Sequence, residues 1–288
     1  MNRDQLIKHF VEYVDSGKDN TTNYDKTEKT LRIMTFNVHQ WSDYKHIPNI
    51  TEVKNLISKS NPDIIGLNEA VSFSKSPTDI YNTHFLDTEY KYFSLCNTEK
   101  FKQGINVILS KYPIISSEVV CLGQDPINKE NRYVIYAIIL INNNIVNIAL
   151  THLDVYDESE QTRLTQMNLI LQHIQRRGFK DVIIMGDFNS LKKDDYTEEE
   201  WSHIINSNQK RYIKTMTLVT DLMNENGYTD SFKWTKRGRE NVSVWSMKRV
   251  DYIYFSKNYP HKVLNSFTIP TLISDHLPVV CDIEIKSD

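Results

Sequence analysis

Short apolar runs, separated by polar and turn-forming stretches, recur along the chain between residues 31 and 285. Runs of about four to eight apolar residues bounded by turn residues are typical of buried strands. The predicted strands cover 31–38, 63–68, 105–110, 115–122, 132–141, 145–151, 181–186, 250–255, 263–269 and 278–285. The chain is therefore predicted to build an α/β protein with mixed sheets.

Apolar residues at helical spacing predict helices between these strands. The predicted helices cover 3–15, 49–60 and 159–176, and the polar stretch 192–229 is also predicted to be helical. Because the periodic segments continue without a long break from residue 31, we expect a single domain over 30–288. Residues 1–29 are predicted to be an N-terminal helix followed by a polar linker.

Polar side chains that can bind a metal ion or a phosphate stand at the ends of several apolar runs. They are Asn37, Glu69, His152, Asp187 and Asn189, and the string Ser-Asp-His at 274–276 follows the apolar stretch TIPTLI. Because the ends of neighbouring strands lie about 5 Å apart in a sheet, these groups could form one site. Carboxylate and amide oxygens beside an imidazole suit a divalent cation and a phosphate group.

Each of these residues also has a structural interpretation that the sequence leaves open. Glu69 could be an ordinary loop carboxylate, although burying it without a partner would be costly. At their i, i+2 spacing Asp187 and Asn189 would share one side of an extended chain, yet Gly186–Asn189 also suits a tight Asx-turn. Arg132 could clamp a phosphate by bidentate pairing or form a surface ion pair.

The composition is that of an ordinary soluble globular protein, with 40% hydrophobic and 25% charged residues among 288. A net charge of −3 and a pI near 6.3 do not indicate a strongly basic nucleic-acid-binding surface, although a local basic groove stays open. Three cysteines without a Cys-x-x-Cys pair predict a reducing, intracellular and cytoplasmic location. Neither a membrane span nor a secretory signal is predicted.

Seven strings, in order along the chain, resemble the endonuclease/exonuclease/phosphatase superfamily, the DNase I-like group. They are TFNV (35–38), PDIIGLNE (62–69), NVILSKYPI (106–114), THL (151–153), GDFN (186–189), RVDYIYFS (249–256) and SDHLPVV (274–280). The resemblance implies a four-layer α-β-β-α sandwich of two mixed sheets flanked by helices. One departure is Asn68, where the family most often has Gln, so a contact made by the longer side chain is expected to be lost.

The resemblance also implies roles for the residues in these strings. Glu69 is expected to bind Mg²⁺ or Mn²⁺, and Asn37 to support the metal and the adjacent phosphate oxygen. Asp187 is expected to orient or deprotonate the attacking water, while Asn189 holds a phosphate oxygen.

The expected catalytic set includes four further residues. His276 would bind phosphate or move a proton, with its tautomer fixed by Asp251. Asp275 would help to place the metal or the water. His152 would contact the phosphate or act as general acid, although some family members use another residue near this position.

The substrate does not follow from the fold family. Residues 233–249 combine basic side chains with Trp234 and Trp245, which suits either a phosphate-bearing ligand with a base to stack or a solvated hairpin with two core tryptophans. We expect Arg132 and Trp245 to contact the substrate. The acidic string DDYTEEE (194–200) would repel a polyanion passing over it.

The strings THLDVYDESEQTRLTQM and SVW resemble tyrosyl-DNA phosphodiesterase 2, and because other branches of the family share them they favour a phosphodiester only slightly. The family resemblance leads us to expect a Mg²⁺-dependent phosphodiesterase or nuclease acting on a phosphate-ester substrate such as nucleic acid, and we expect a monomer. Two alternatives stay open at this point. One is a phosphomonoesterase or an inositol or lipid head-group phosphatase on the same fold. The other is a catalytically silent binding module, which the presence of Glu69, Asp187 and His276 disfavours.

Overall fold

The computed structural model describes residues 3–18, 26–27, 29–71, 76–96, 105–234 and 242–285. Most of the predicted linker lies outside the described residues, and so do the Trp234 side chain and residues 235–241 of the basic stretch. No helix in the described part is both long and apolar enough to cross a membrane.

Two mixed six-stranded sheets form the centre of the molecule. The strands are β1 (Thr30–Asn37), β2 (Ile64–Asn68), β3 (Tyr92–Leu95), β4 (Val107–Ser110), β5 (Ile114–Gln124), β6 (Asn131–Ile141), β7 (Asn144–His152), β8 (Val182–Asp187), β9 (Thr229–Asp230), β10 (Asp251–Phe255), β11 (Lys262–Thr268) and β12 (Val279–Glu284). The first sheet has the order β11-β12-β1-β2-β4-β3, and the second has the order β5-β6-β7-β8-β10-β9.

The helices form the outer layers of the sandwich. They are α1 (Arg3–Lys18), α2 (Ile50–Ser60), α3 (Pro77–His84), α4 (Gln161–Arg177), α5 (Glu198–Gln209) and α6 (Leu218–Glu225). Apolar residues of α2 and α3 pack on the first sheet, and those of α4 and α6 pack on the second. The predicted four-layer α-β-β-α architecture is confirmed.

The central strands are apolar along their whole length because successive side chains point into two different hydrophobic cores. In β1, Ile33 packs between the two sheets whereas Met34 packs under the helices of the first sheet. In β8, Ile183 packs between the sheets and Ile184 packs under α4 and α6. Because both faces of these central strands are buried, alternating polar positions would leave unpaired polar groups in one of the two cores.

Two predictions about the elements were wrong in detail. The region 192–229 is not one helical stretch, since α5 and α6 are separated by a non-helical segment and β9 follows. The stretch TIPTLI is not a buried strand, because β11 ends at Thr268 and an irregular loop containing Pro270 leads to the Ser-Asp-His string. Proline cannot donate to a strand ladder, so pairing stops before it.

Helix α1 packs against the loop that carries this Ser-Asp-His string. Phe10 and Val14 are fully buried and form a small cluster with Leu277, the residue after His276. Trp245 and Met247 pack on the same cluster. The N-terminal helix therefore supports the site loops from behind.

Candidate active site

Strand register brings the predicted polar residues to one edge of each sheet. In the first sheet, Asn37 at the end of β1 pairs with Asn68 at the end of β2. In the second sheet, Asp187 pairs with His152 on one side and with Asp251 on the other. The two rows face each other across the sandwich, because side chains of one sheet bond to those of the other.

Asn68 is the direct link between the two rows. Its Nδ2 donates to Asn106 Oδ1 (2.8 Å) and to the Thr151 carbonyl (3.1 Å), and its Oδ1 accepts from the Asp187 backbone N–H (3.0 Å). Asn68 is fully buried, so each partner would lack a hydrogen bond without it, at about 1–3 kcal/mol per group. The shorter amide thus reaches the second sheet and fixes the backbone of Asp187.

Asp187 lies at the centre of a compact polar cluster. Asn37 Nδ2 donates to Asp187 Oδ2 (3.1 Å) and also to Glu69 Oε1 (3.0 Å). The Nε2 atoms of His152 and His276 lie 3.6 Å and 3.8 Å from the same Asp187 oxygen. Each of these side chains except Glu69 is buried, so the cluster is almost shielded from bulk water.

His276 is held by a buried carboxylate on its other ring nitrogen. Its Nδ1 lies 2.9 Å from Asp251 Oδ2, and because a carboxylate only accepts, we assign the Nδ1 proton to this bond. Ser243 Oγ donates to the same oxygen at 2.6 Å. Nε2 of His276 is thereby directed towards Asp187.

The Ser-Asp-His loop is tied to the first sheet. Ser274 Oγ donates to the Asn37 carbonyl (2.8 Å) and accepts from the His276 backbone N–H (3.1 Å). Asp275 lines the cleft, with its Oδ1 3.8 Å from His39 Nδ1. These bonds set the position of His276 although no strand carries it.

Asp187 and Asn189 do not share an extended strand. Asp187 Oδ1 accepts from the Asn189 N–H (2.9 Å), and Asn189 has a φ of +49°, which is an Asx-turn rather than a strand. The preceding Gly186 has a φ of +134°, and a Cβ there would lie 1.8 Å from the Thr151 carbonyl oxygen. The turn and the site coexist, since both Asp187 and Asn189 line the cleft.

Burial and charge shift the ionisation of the cluster. Burial, and secondarily the Asp251 charge, raises the pKa of Asp187 to about 7, while His276 opposes the shift. Burial alone would lower the pKa of His276, but the Asp251 and Asp187 carboxylates outweigh it and raise that pKa well above its usual range. Burial, followed by the Arg132 and His276 charges, lowers the pKa of His152 well below the usual range. At neutral pH the cluster therefore holds a cationic His276 and a neutral His152.

Several non-glycine residues around the cluster adopt left-handed backbone conformations. Glu69 has a φ of +53°, and His39 and Gln40 have φ values of +46° and +56°. Such conformations are costly for residues with a Cβ and concentrate at functional sites. The unfavourable backbone conformation at Glu69 indicates that the site requires this side chain in a particular position.

The cluster opens into a cleft with a volume of about 470 Å³. Both Arg132 and Trp245, the two expected substrate contacts, line it. Arg132 is only 4% exposed and its Nε has no hydrogen-bond partner, while the Glu130 and Asp125 carboxylates are close enough to interact with its charge. A buried guanidinium N–H without an acceptor is unfavourable, so an anion in the cleft that accepts from Arg132 would stabilise it.

The donor set around Glu69 suits a hard divalent cation. One oxygen of Glu69 accepts from Asn37, and the other has no hydrogen-bond donor among the described residues. The Asn37 oxygen accepts from the His39 N–H (3.0 Å), so Asn37 orients the Glu69 and Asp187 carboxylates. Oxygen donors of this kind are those that Mg²⁺ prefers.

A second grouping of metal-type donors in the described part consists of Asp187, Asp251 and His276, with ligand atoms within 4.8 Å of one another. We favour the Glu69 side for a cation, because His276 Nδ1 and Asp251 Oδ2 are already bonded to each other.

Three residues that organise the site were not predicted from the sequence. Asn68, Ser243 and Ser274 each hold a predicted residue in place through a buried hydrogen bond. Ser274 was visible as part of the Ser-Asp-His string. Ser243 opens the SVW string, but nothing in the sequence indicates a role for its hydroxyl, which depends on the fold.

Comparison with known proteins agrees with this geometry. The model of the Endonuclease/Exonuclease/phosphatase family matches residues 34–276. A search of curated proteins found no significant sequence match.

Solved structures share the fold at low sequence identity. An endonuclease/exonuclease/phosphatase from Beutenbergia cavernae aligns with a TM-score of 0.69 and 19% identity over 90% of this chain and 72% of that one. TDP2 from D. rerio, complexed with a single-strand DNA product, aligns at 0.63 and 16% over 90% and 100%. A mannosyl-6-phosphatase from Bacteroides thetaiotaomicron aligns at 0.62 and 13% over 88% and 100%.

Proposed function

The chain belongs to the endonuclease/exonuclease/phosphatase family, and from that premise we propose that it is a Mg²⁺-dependent phosphodiesterase that cleaves its substrate by in-line attack of water. The observation that carries this proposal is the position of Asp187. Its carboxylate lies within 4 Å of Asn37, His152 and His276 at the floor of a cleft that Arg132 also lines. Phosphoryl transfer requires a base for the attacking water and cationic groups for the phosphoryl oxygens. This cleft contains candidates for both.

Asp187 is the residue we assign to the attacking water. Burial raises its pKa to about 7, so the carboxylate accepts a proton readily near neutral pH. The Asx-turn bond to Asn189 and the bond from Asn37 fix both carboxylate oxygens. A base held in one orientation loses little entropy when it acts on a bound water.

His276 and Arg132 are the residues we assign to the charge on the phosphoryl group. The cationic His276 presents Nε2 to the cleft because Asp251 holds Nδ1. Arg132 can offer its guanidinium donors without breaking an existing hydrogen bond. Preorganised donors of this kind stabilise charge that grows in the transition state. Asn189 and the neutral His152 line the same floor and are proposed to contact phosphate oxygens.

Glu69, with Asn37 as its orienting partner and Asp275 nearby in the cleft, is the residue we assign to the cation. When bound, Mg²⁺ would supply Lewis-acid stabilisation of a phosphoryl oxygen. Asn37 bonds to both Glu69 and Asp187, so the same amide would position the metal ligand and the base.

The substrate class is the finer part of the proposal. The TDP2 neighbour carries a single-strand DNA product, which favours a phosphodiester in nucleic acid, whereas the Bacteroides neighbour is named as a phosphatase of a sugar phosphate. We favour the diester because the cleft extends beyond Asp187 along a wall with Trp245 and several cations. A phosphomonoesterase is the second candidate, and a silent binding module is disfavoured by the assembled base.

A panel of four substrates separates these candidates. We expect the kcat/KM of bis(p-nitrophenyl) phosphate to exceed that of p-nitrophenyl phosphate by at least about tenfold in Mg²⁺, and a single-stranded oligonucleotide to be cleaved where mannose 6-phosphate is not. Higher kcat/KM for both monoesters would move the assignment to a phosphatase. Absence of turnover on all four, with a folded and metal-binding protein, would favour the binding module.

A further inference from the structure

The cleft has a second group of cationic side chains away from Asp187. Arg211, Lys214 and Lys248 line the wall formed by the segment after α5 and by the hairpin at 243–248. Glu198–Glu200, in the acidic first turn of α5, are not among the lining residues. The acidic string, which was expected to repel a polyanion, therefore does not line the cleft. The wall that does line it carries the three cationic side chains.

Lys248 has a defined position relative to His276. Val244 forms antiparallel bridges with both His276 and Lys248, so Lys248 lies two strand spacings from His276, about 10 Å. Residues directly opposite each other in antiparallel pairs project to the same face. Lys248 and His276 therefore share a face, in agreement with their both lining the cleft.

Lys248 has no counter-charge in the described part of the chain. Its ammonium is partly buried and makes no hydrogen bond or ion pair with a described residue. Burial lowers its pKa, and the neighbouring Arg211 charge lowers it further. Among the described residues Arg211 has one ion pair, an exposed and therefore weak one with Glu158 (3.3 Å), which also lines the cleft. Two adjacent cations thus line the cleft with little compensation.

The wall is held in place from several directions. Asn208 Nδ2 donates to Thr215 Oγ1 (2.9 Å) and closes the loop that presents Arg211. Before α5, Asp195 pairs with the fully buried Arg249 (2.8 Å), which directly follows Lys248. Behind the hairpin, Trp245 packs on α1, where the Arg3 guanidinium lies 5.6 Å from its ring centre. A preorganised wall loses little entropy on binding a ligand.

We propose that Lys248 and Arg211, with Lys214 beside them, form a second anion subsite that recognises a further phosphate group of the substrate on the His276 side of the cleft. This inference rests on the proposed function for the cleaved phosphate, and it narrows the substrate class to phosphate esters that carry at least two phosphates. The second phosphate could be a terminal monoester or the next diester of a nucleic acid strand. Both present the same anionic oxygens to Lys248.

Equilibrium binding tests the subsite without relying on turnover. Isothermal titration calorimetry would compare thymidine 5′-monophosphate, thymidine 3′,5′-bisphosphate and the dinucleotide pdTpdT at low ionic strength. EDTA in the buffer prevents metal-dependent hydrolysis of the ligands during the titration. The second phosphate is a monoester in the bisphosphate and a diester in the dinucleotide, so the preferred ligand identifies the source.

We expect the wild-type chain to bind at least one two-phosphate ligand about tenfold more tightly than the monophosphate, as one added charge-assisted contact pair predicts. Lys248→Gln and Arg211→Gln should each remove most of this preference. Lys210→Gln is the matched control, because Lys210 is an exposed lysine next to Arg211 that does not line the cleft. Equal affinities in the wild type, a preference that survives both cleft variants, or an equal loss in Lys210→Gln would overturn the subsite.

Thermal unfolding supplies an independent readout. Since Lys248 is a partly buried cation beside Arg211, Lys248→Gln should melt at or above the wild-type temperature in anion-free buffer. A clearly lower melting temperature would mean that Lys248 has a structural partner and would contradict the subsite. A retained two-phosphate preference together with absent hydrolysis would refute the proposed activity and leave the subsite in place.

Discussion

Replacing Asp187 by Asn is expected to lower kcat for a diester substrate by roughly a thousandfold or more, because the positioned base is lost. The amide is isosteric, and its oxygen can still accept from the Asn189 N–H, whereas its NH2 group would replace the oxygen that accepts from the Asn37 amide, so one of the two fixing bonds is lost. The fold should still persist, and KM should change much less than kcat. Steady-state kinetics in Mg²⁺ and a melting curve together measure this split.

The matched control is Asp87→Asn, which removes a carboxylate on an exposed turn far from the cleft lining. Its kcat should equal that of the wild type. If Asp187→Asn retained more than about a tenth of the wild-type kcat, the carboxylate would not act as the base. A large drop in melting temperature would instead show that Asp187 is needed for folding.

Replacing His276 by Gln is expected to have the second largest effect, a loss of about two to three orders of magnitude in kcat, because a fixed cation facing the phosphoryl group disappears. Asp251→Asn should cost less, since Asp251 acts through His276 by raising its pKa and fixing the orientation of its ring. His203→Gln on the exposed face of α5 is the control and should be neutral.

The two changes should be strongly non-additive. In the His276→Gln background, Asp251→Asn should lower kcat by no more than a few fold, because the residue it positions is already gone. A double-mutant cycle on kcat/KM measures the coupling. Full additivity would mean that Asp251 contributes to catalysis independently of His276, and the positioning role would be wrong.

The central strands could be predicted from the sequence because burial on both faces leaves a direct signal. Apolar runs such as those around Ile33 and Ile183 are costly to expose to water, so the folded chain must bury them. The short edge strand β3 and the helix α3 were missed, since Tyr92–Leu95 is too short and too exposed to stand out. The division of strands into two sheets came from the family resemblance, because an apolar run does not show which sheet it joins.

The candidate site could be predicted in part from the short strings that carry the family resemblance. Asp187 and His276 stand in two of these strings, and the structure brings them within 3.8 Å. Asn68 and Ser243 act through contacts that exist only after the sheets have packed; the Asn68 bond to Asp187 spans 119 residues of chain. The left-handed conformation of Glu69 likewise has no signal in the sequence, since glutamate rarely adopts it.

The measurement that tests the central claim most directly is the Mg²⁺ dependence of bis(p-nitrophenyl) phosphate hydrolysis by the wild type and by Glu69→Gln. Our account predicts that EDTA abolishes wild-type turnover, that Mg²⁺ restores it, and that Glu69→Gln needs at least about tenfold more Mg²⁺ for half-maximal rate, since one anionic ligand becomes neutral. Wild-type turnover that persists in EDTA, or identical Mg²⁺ curves for the two proteins, would contradict a metal-dependent phosphodiesterase built on Glu69.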